Sequence, residues 1–179
     1  MSHDKEKYAH PEWVLSALHN MIDETMYHMK TFAHTLEVHH NKEAAQIFSL
    51  AYEQFKKEEE IVTSHSRTKN LLSIAPWETL YPDYIHPSEV LGETDYLMTK
   101  EEAWKAIEKI GQIHTGFYDF LRKESENSAL LTLTKELLEH CKHCEMSHQK
   151  EMLDLDADDR QKHDDMDLIP GHDFKGMFQ

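Results

Sequence analysis

Apolar residues recur every three or four positions through most of this chain, and they do so in four long runs. Pro11 suits the first position of a helix, since it has no N–H to leave unbonded. Val14, Leu18, Met21, Thr25, His28, Phe32 and Leu36 follow at helical spacing, which predicts a first helix running to about His40. Asn41 can cap a second helix through its side-chain oxygen. The seam of that helix is Ala44, Phe48, Ala51, Phe55, Glu58, Val62, His65 and Leu72. With almost no loop between them the two helices must lie antiparallel. At about thirty residues each, they span about 45 Å.

From Asn70 to Met98 the period fails, and Pro76, Pro82, Pro87 and Gly92 rule out one continuous helix. Trp77, Leu80, Tyr81, Tyr84, Ile85 and Val90 are too apolar for a free linker, so this segment is expected to lie along the helices, with room for a short helical turn. Thr99 and Glu102 form the pattern of a capping box. The third helix then runs through Ala103, Ile107, Ile110, His114, Phe117 and Leu121. A turn near Ser125 to Ser128 starts a fourth, continuing through Leu131, Leu137 or Leu138, Cys141, Cys144 or Glu145, His148 and Met152. Two tight antiparallel pairs joined by one long crossover make the connectivity of a ferritin-like bundle. The expected fold is therefore all-α: a ferritin-like four-helix bundle over 1–153, with its crossover at about 70–98 and an acidic tail over 154–179.

Composition sharpens this picture mainly by exclusion. The 179 residues include only five Gly and five Pro and carry a formal charge of -15. Neither nucleic acid nor an anionic membrane attracts such a polyanion. No apolar stretch reaches the length of a transmembrane span, and the opening residues lack the apolar core of a secretory signal, so a cytoplasmic protein is expected. Cys141 and Cys144, three apart on one helix, are expected as thiols, because the βαβ setting of a redox pair is missing. Asp154, Asp156 and Asp158 imitate the start of a calcium loop, but Asp159 stands where Gly is needed and Asp165 where Glu is usual.

Candidate chemistry lies in polar residues that interrupt the seams. His28, Glu58, His65, His114 and His148 face inward, and Glu24 and Glu145 lie at the seam's edge. A buried carboxylate costs several kcal/mol unless it is paired or bound to metal. Counting from the two tight turns puts Glu24 level with about Glu58 and Glu145 level with about Ile107. A central site from Glu24, Glu58, His114 and Glu145, with His28 or His148 nearby, is therefore expected. The run from His140 to His148 is the densest, with six ligand-type side chains, of which Glu145 and His148 share a face at i and i+3. The bland alternative is that an inward His is a hydrogen-bonded core residue. His19, His34, His39, His40, His140 and His143 are expected at the surface, and Cys141 as a small core hydrophobe.

Over Pro11 to Leu153 the chain resembles the rubrerythrin-like branch of the ferritin-like superfamily. The likeness rests on the run Ala44-Ala45-Gln46-Ile47-Phe48-Ser49-Leu50-Ala51, on Gln112-Ile113-His114-Thr115-Gly116-Phe117-Tyr118, on the Glu-x-x-His motif Glu145-Met146-Ser147-His148, and on Glu24. It implies two iron ions, or manganese or zinc in their stead, acting on peroxide, dioxygen or ferrous iron, in a homodimer. A rubredoxin-type domain needs two Cys-x-x-Cys pairs and only one exists, so electrons would come from an external donor. The family pattern meets Gln54 and Lys57 where helix 2 carries Glu and His, and Gln112 where helix 3 carries Glu. Either Glu58 and His114 take over, giving Glu24, His28, Glu58, His114, Glu145 and His148 as metal ligands, or Lys57 replaces the metal charge beside Glu24 or Glu145. The first outcome is a metal-binding oxidoreductase. The second is a non-enzymatic bundle that works by partner binding or oligomerisation.

Overall fold

The computed structural model of the chain describes residues 7–66, 70–75, 78–145 and 147, and every regular element among them is helical. Helix α1 spans Pro11–Val38, with Pro11 in its first turn as expected. It stops at a turn in which His40 takes a positive φ of 63°, and the Asn41 N–H donates back to the Leu36 carbonyl at 2.9 Å. The Asn41 side chain then accepts from the Ala44 N–H at 3.3 Å and opens α2, Lys42–Ser66. His19 meets Glu59 and Ser66, and Phe32 meets Phe48 with ring centroids 4.9 Å apart, so α1 and α2 run antiparallel. Leu72 does not continue the α2 seam. It lies exposed beyond the helix, where its N–H donates to Ser16 Oγ at 2.6 Å.

The crossover is docked, as its apolar content predicted. Leu80, Tyr81, Val90 and Leu91 are buried, and a short helix α3, Pro87–Gly92, interrupts the coil. Its polar backbone is satisfied by the long helices and the segment before them: Tyr8 donates to the Leu80 carbonyl at 2.9 Å, and Asn41 Nδ2 to the Tyr96 and Met98 carbonyls at 3.1 and 2.8 Å. Helix α4, Lys100–Glu124, starts with the reciprocal Thr99–Glu102 capping box. Its predicted seam is buried throughout. Helix α5, 128–145, opens on Asn127, whose side-chain oxygen accepts from the Ala129 and Leu130 N–H groups at 3.0 and 3.2 Å. Its inward residues are Leu130, Leu133 and Leu137, not Leu131, which is exposed. Leu137 and Cys141 of the expected seam do face inward, and Leu131 is the described member of it that does not. The expected continuation to Met152, His148 and the tail from Asp154 lie outside the described residues. All this packing belongs to one compact unit, Met1–Glu145. Among the described residues no helix is long and apolar enough to cross a membrane.

Gly116 marks where the crossover presses on α4. A Cβ there would come 2.8 Å from the Tyr81 hydroxyl, which donates to the Ile113 carbonyl at 3.0 Å. The Tyr81 ring stacks on Phe117, with centroids 5.5 Å apart, so it has little freedom to retreat. In an exposed helix, glycine to alanine gains about 1 kcal/mol. Here overpacking costs about 1–3 kcal/mol and reverses the sign. Gly116→Ala is expected to be net destabilising in urea unfolding; a gain in stability would mean that Tyr81 is not held against this helix.

Candidate functional site

The four long helices each contribute a polar side chain to one point in the core. Thr25 comes from α1, Glu58 from α2, His114 and Tyr118 from α4, and all four are buried. Cys141 of α5 completes the group and is partly buried. His114 and Tyr118 are four apart and so share a helix face. The Tyr118 hydroxyl donates to Glu58 Oε2 at 2.5 Å, and His114 Nδ1 lies 2.8 Å from the same oxygen. The Cys141 thiol donates to Glu58 Oε1 at 3.4 Å. Phe55 covers the imidazole, with ring centroids 4.8 Å apart.

Hydrogen-bond counting narrows the proton positions. Glu58 Oε2 can only accept from the ring, so His114 Nδ1 carries a proton. Nε2 lies 2.9 Å from Thr25 Oγ1, and Thr25 also reaches the Met21 carbonyl at 2.9 Å. A hydroxyl has one proton to give. When Thr25 donates to Met21 it must accept from His114 Nε2–H, and the ring is an imidazolium paired with the Glu58 carboxylate. When the ring is neutral, Thr25 turns its proton to Nε2.

Electrostatics follow from this geometry. Burial alone would raise the Glu58 carboxyl, but the adjacent His114 charge and the hydrogen bonds from His114 and Tyr118 outweigh it and hold the group below its ordinary value. Burial, then the Glu58 charge, pushes the Tyr118 hydroxyl and the Cys141 thiol well up. Cys144 is pushed up to about 11, chiefly by burial and next by Glu58. Both cysteines therefore stay protonated near neutral pH, which leaves them without the thiolate that exchange chemistry needs.

Of the five predicted ligands among the described residues, the structure brings only Glu58 and His114 to this centre. Glu24 and His28 turn to the flank of α1 against the crossover. There Glu24 Oε2 is 2.8 Å from His86 Nε2, and the His28 ring meets His86 edge to face, with centroids 5.7 Å apart. Glu145 is exposed, and His148 lies outside the described residues. Lys57 and Gln112 are exposed as well, so the centre is not neutralised by lysine; the basic group beside Glu58 is His114. The backbone carbonyl of Gln54 lies 3.2 Å from His140 Nε2, which makes His140 partly buried where a surface residue was expected. His19 likewise is tucked between Glu59 and Ser66. His65 faces Glu136 of α5 at 3.1 Å. Among the described residues no three His, Cys, Asp or Glu side chains stand ready to clasp a metal ion.

Sequence reasoning missed Thr25 and Tyr118 as polar members of the centre. Both were legible: Thr25 sits on the α1 seam, and Tyr118 is one turn beyond His114. His86 had no comparable signal, because the crossover has no period. No family model, curated protein or solved structure matches this chain.

Proposed function

We propose that this chain is a non-enzymatic helical bundle of ferritin-like connectivity, closed at its centre by a proton-bonded network, and that it acts by associating with a second copy of itself. The observation that carries the reading is the saturation of Glu58. Both carboxylate oxygens accept hydrogen bonds, from Tyr118, His114 and Cys141 on two other helices. The connectivity is supported by contacts between Tyr8 and Phe120, between Thr25 and His114, and between Cys141 and Glu58. With α1 up, these make α2 and α4 both run down and α5 up, as a long crossover between two hairpins requires.

Association is supported at the α1–α2 turn. Val38 is 60% exposed and Leu97 73%, and between them the His39 ring stacks on the exposed Tyr96 at 4.2 Å. Sedimentation should report a dimer that Val38→Asp with Leu97→Asp converts to monomer. Anaerobic Fe²⁺ titration should reveal no binding that depends on Glu58 or His114. Uptake of about one equivalent or more that Glu58→Gln or His114→Gln abolishes, with peroxide turnover, would overturn the reading in favour of the family's iron chemistry. That second reading, iron held at Glu58 and His114 and served by an external electron donor, has one observation in its favour. Thr25 anchors His114 Nε2, as the outer ring nitrogen of a metal-bound imidazole is anchored.

A further inference from the structure

Histidine is concentrated at the α1–α2 turn, the surface through which two copies are proposed to associate. His39 and His40 follow one another there, and His34 lies one turn before Val38 on the same face of α1. All three are exposed. The His39 ring is the one fixed within the patch: it stacks on Tyr96, with centroids 4.2 Å apart and planes 23° from parallel, next in sequence to the exposed Val38 and Leu97. Asn41 Nδ2 holds the Tyr96 and Met98 carbonyls from behind, so the stack is in place before any partner arrives.

Charges around this patch are matched within the chain itself. Lys100 pairs with Glu43 at 3.1 Å and Lys109 with Glu93 at 2.9 Å, and Asp95 Oδ1 accepts from the Leu97 N–H at 2.6 Å. Glu37 and Lys42 flank the turn with opposite signs. Two chains of formal charge -15 repel one another, and this internal matching reduces the repulsion where the turn meets its copy. What remains to change the charge of the patch between pH 5 and pH 8 is histidine.

In a two-fold dimer the same patch faces itself. Each His39 ring then leaves water for apolar surroundings and approaches the same ring of the other copy. A neutral imidazole accepts this exchange, whereas an imidazolium is penalised twice, by desolvation and by its like-charged twin. We infer, resting on the reading that copies associate at this turn, that protonation of His39 dissolves the contact, so that the pair forms at neutral pH and separates in mild acid. The monomer binds more protons than the dimer, and mass action therefore favours the monomer as pH falls. General electrostatics act in the opposite direction, because protonating the chain's 15 histidines lowers its net negative charge and weakens repulsion. The sign of the pH response separates the two effects.

The test is sedimentation equilibrium of the full chain at about pH 7.5 and about pH 5.5, on either side of the ordinary imidazole range, at one ionic strength. The dimer is expected to weaken at least tenfold on acidification. His39→Phe, which keeps a ring on Tyr96 without a titrating group, should dimerise alike at both pH values, and His39→Gln should lose most of the response. His10→Gln, at the opposite end of α1, should behave as the wild type. Far-UV circular dichroism checks that each variant keeps its helices at both pH values. A dimer as tight or tighter in acid, or a response that survives His39→Phe, overturns the inference and leaves the association standing. No dimer at either pH overturns the association itself, and the inference with it.

Discussion

Glu58→Ala is expected to cost the bundle about 3–5 kcal/mol, because it removes one partner of a buried charge pair and leaves the other in the core. The loss would lower the midpoint of thermal unfolding by roughly 10 °C for a chain of this size. His114 would lose its counter-ion, and Tyr118 and Cys141 would lose the acceptor for their protons. The magnitude reflects orphaned partners more than the worth of the pair, and this distinction can be measured. Replacing the network wholesale, by Glu58→Leu, His114→Leu and Tyr118→Phe together, should recover most of the stability, because apolar groups of like volume leave nothing unpaired. Urea and thermal unfolding of the single and triple variants decide the matter. A Glu58→Ala variant within about 0.5 kcal/mol of wild type would mean that the four side chains are not joined.

His114→Leu is expected to reverse the pH dependence of the Glu58 contribution. In the wild type the Glu58 carboxyl sits below its ordinary value. Its share of stability is therefore present above the unfolded carboxyl range and is lost as pH falls through the folded value. Without the imidazole, burial is no longer outweighed and the folded value rises above the unfolded one. The protonated acid is then the comfortable form, and stability is lost as pH rises. The gap between wild type and variant should widen from pH 3 to pH 7, reaching about 3 kcal/mol or more at neutrality. Urea midpoints measured across that range report the sign directly. A constant gap would show that His114 acts on packing and not on the Glu58 charge.

Whether this centre serves iron or has closed around protons turns on residues that sequence arguments rank only loosely. Glu24 and Thr25 are neighbours, and either could have faced the core. The helix turns by about 100° per residue, so a small change in how α1 rolls against α2 and α4 exchanges them. In the structure Thr25 points inward to His114, while Glu24 goes to the crossover and meets His86. The same sensitivity put Leu130 and Leu133 of α5 in the core in place of Leu131, while Leu137 and Cys141 kept their expected inward positions.

What the sequence determined by itself is local. The helical segments, the His39–Asn41 turn, the Thr99–Glu102 capping box and the break in helix at the crossover all follow from interactions within a few residues, which the 3.6-residue period and cap chemistry encode directly. It also marked Glu58 and His114 as polar residues on apolar seams. Only the tertiary structure decided that these two meet each other, that Tyr118, Thr25 and Cys141 share their protons, and that His86 reaches Glu24 from 62 positions away. The physical reason is that each such contact depends on the roll and offset of two helices, or on the path of an aperiodic segment. An error of one residue there carries a side chain from the core to the flank.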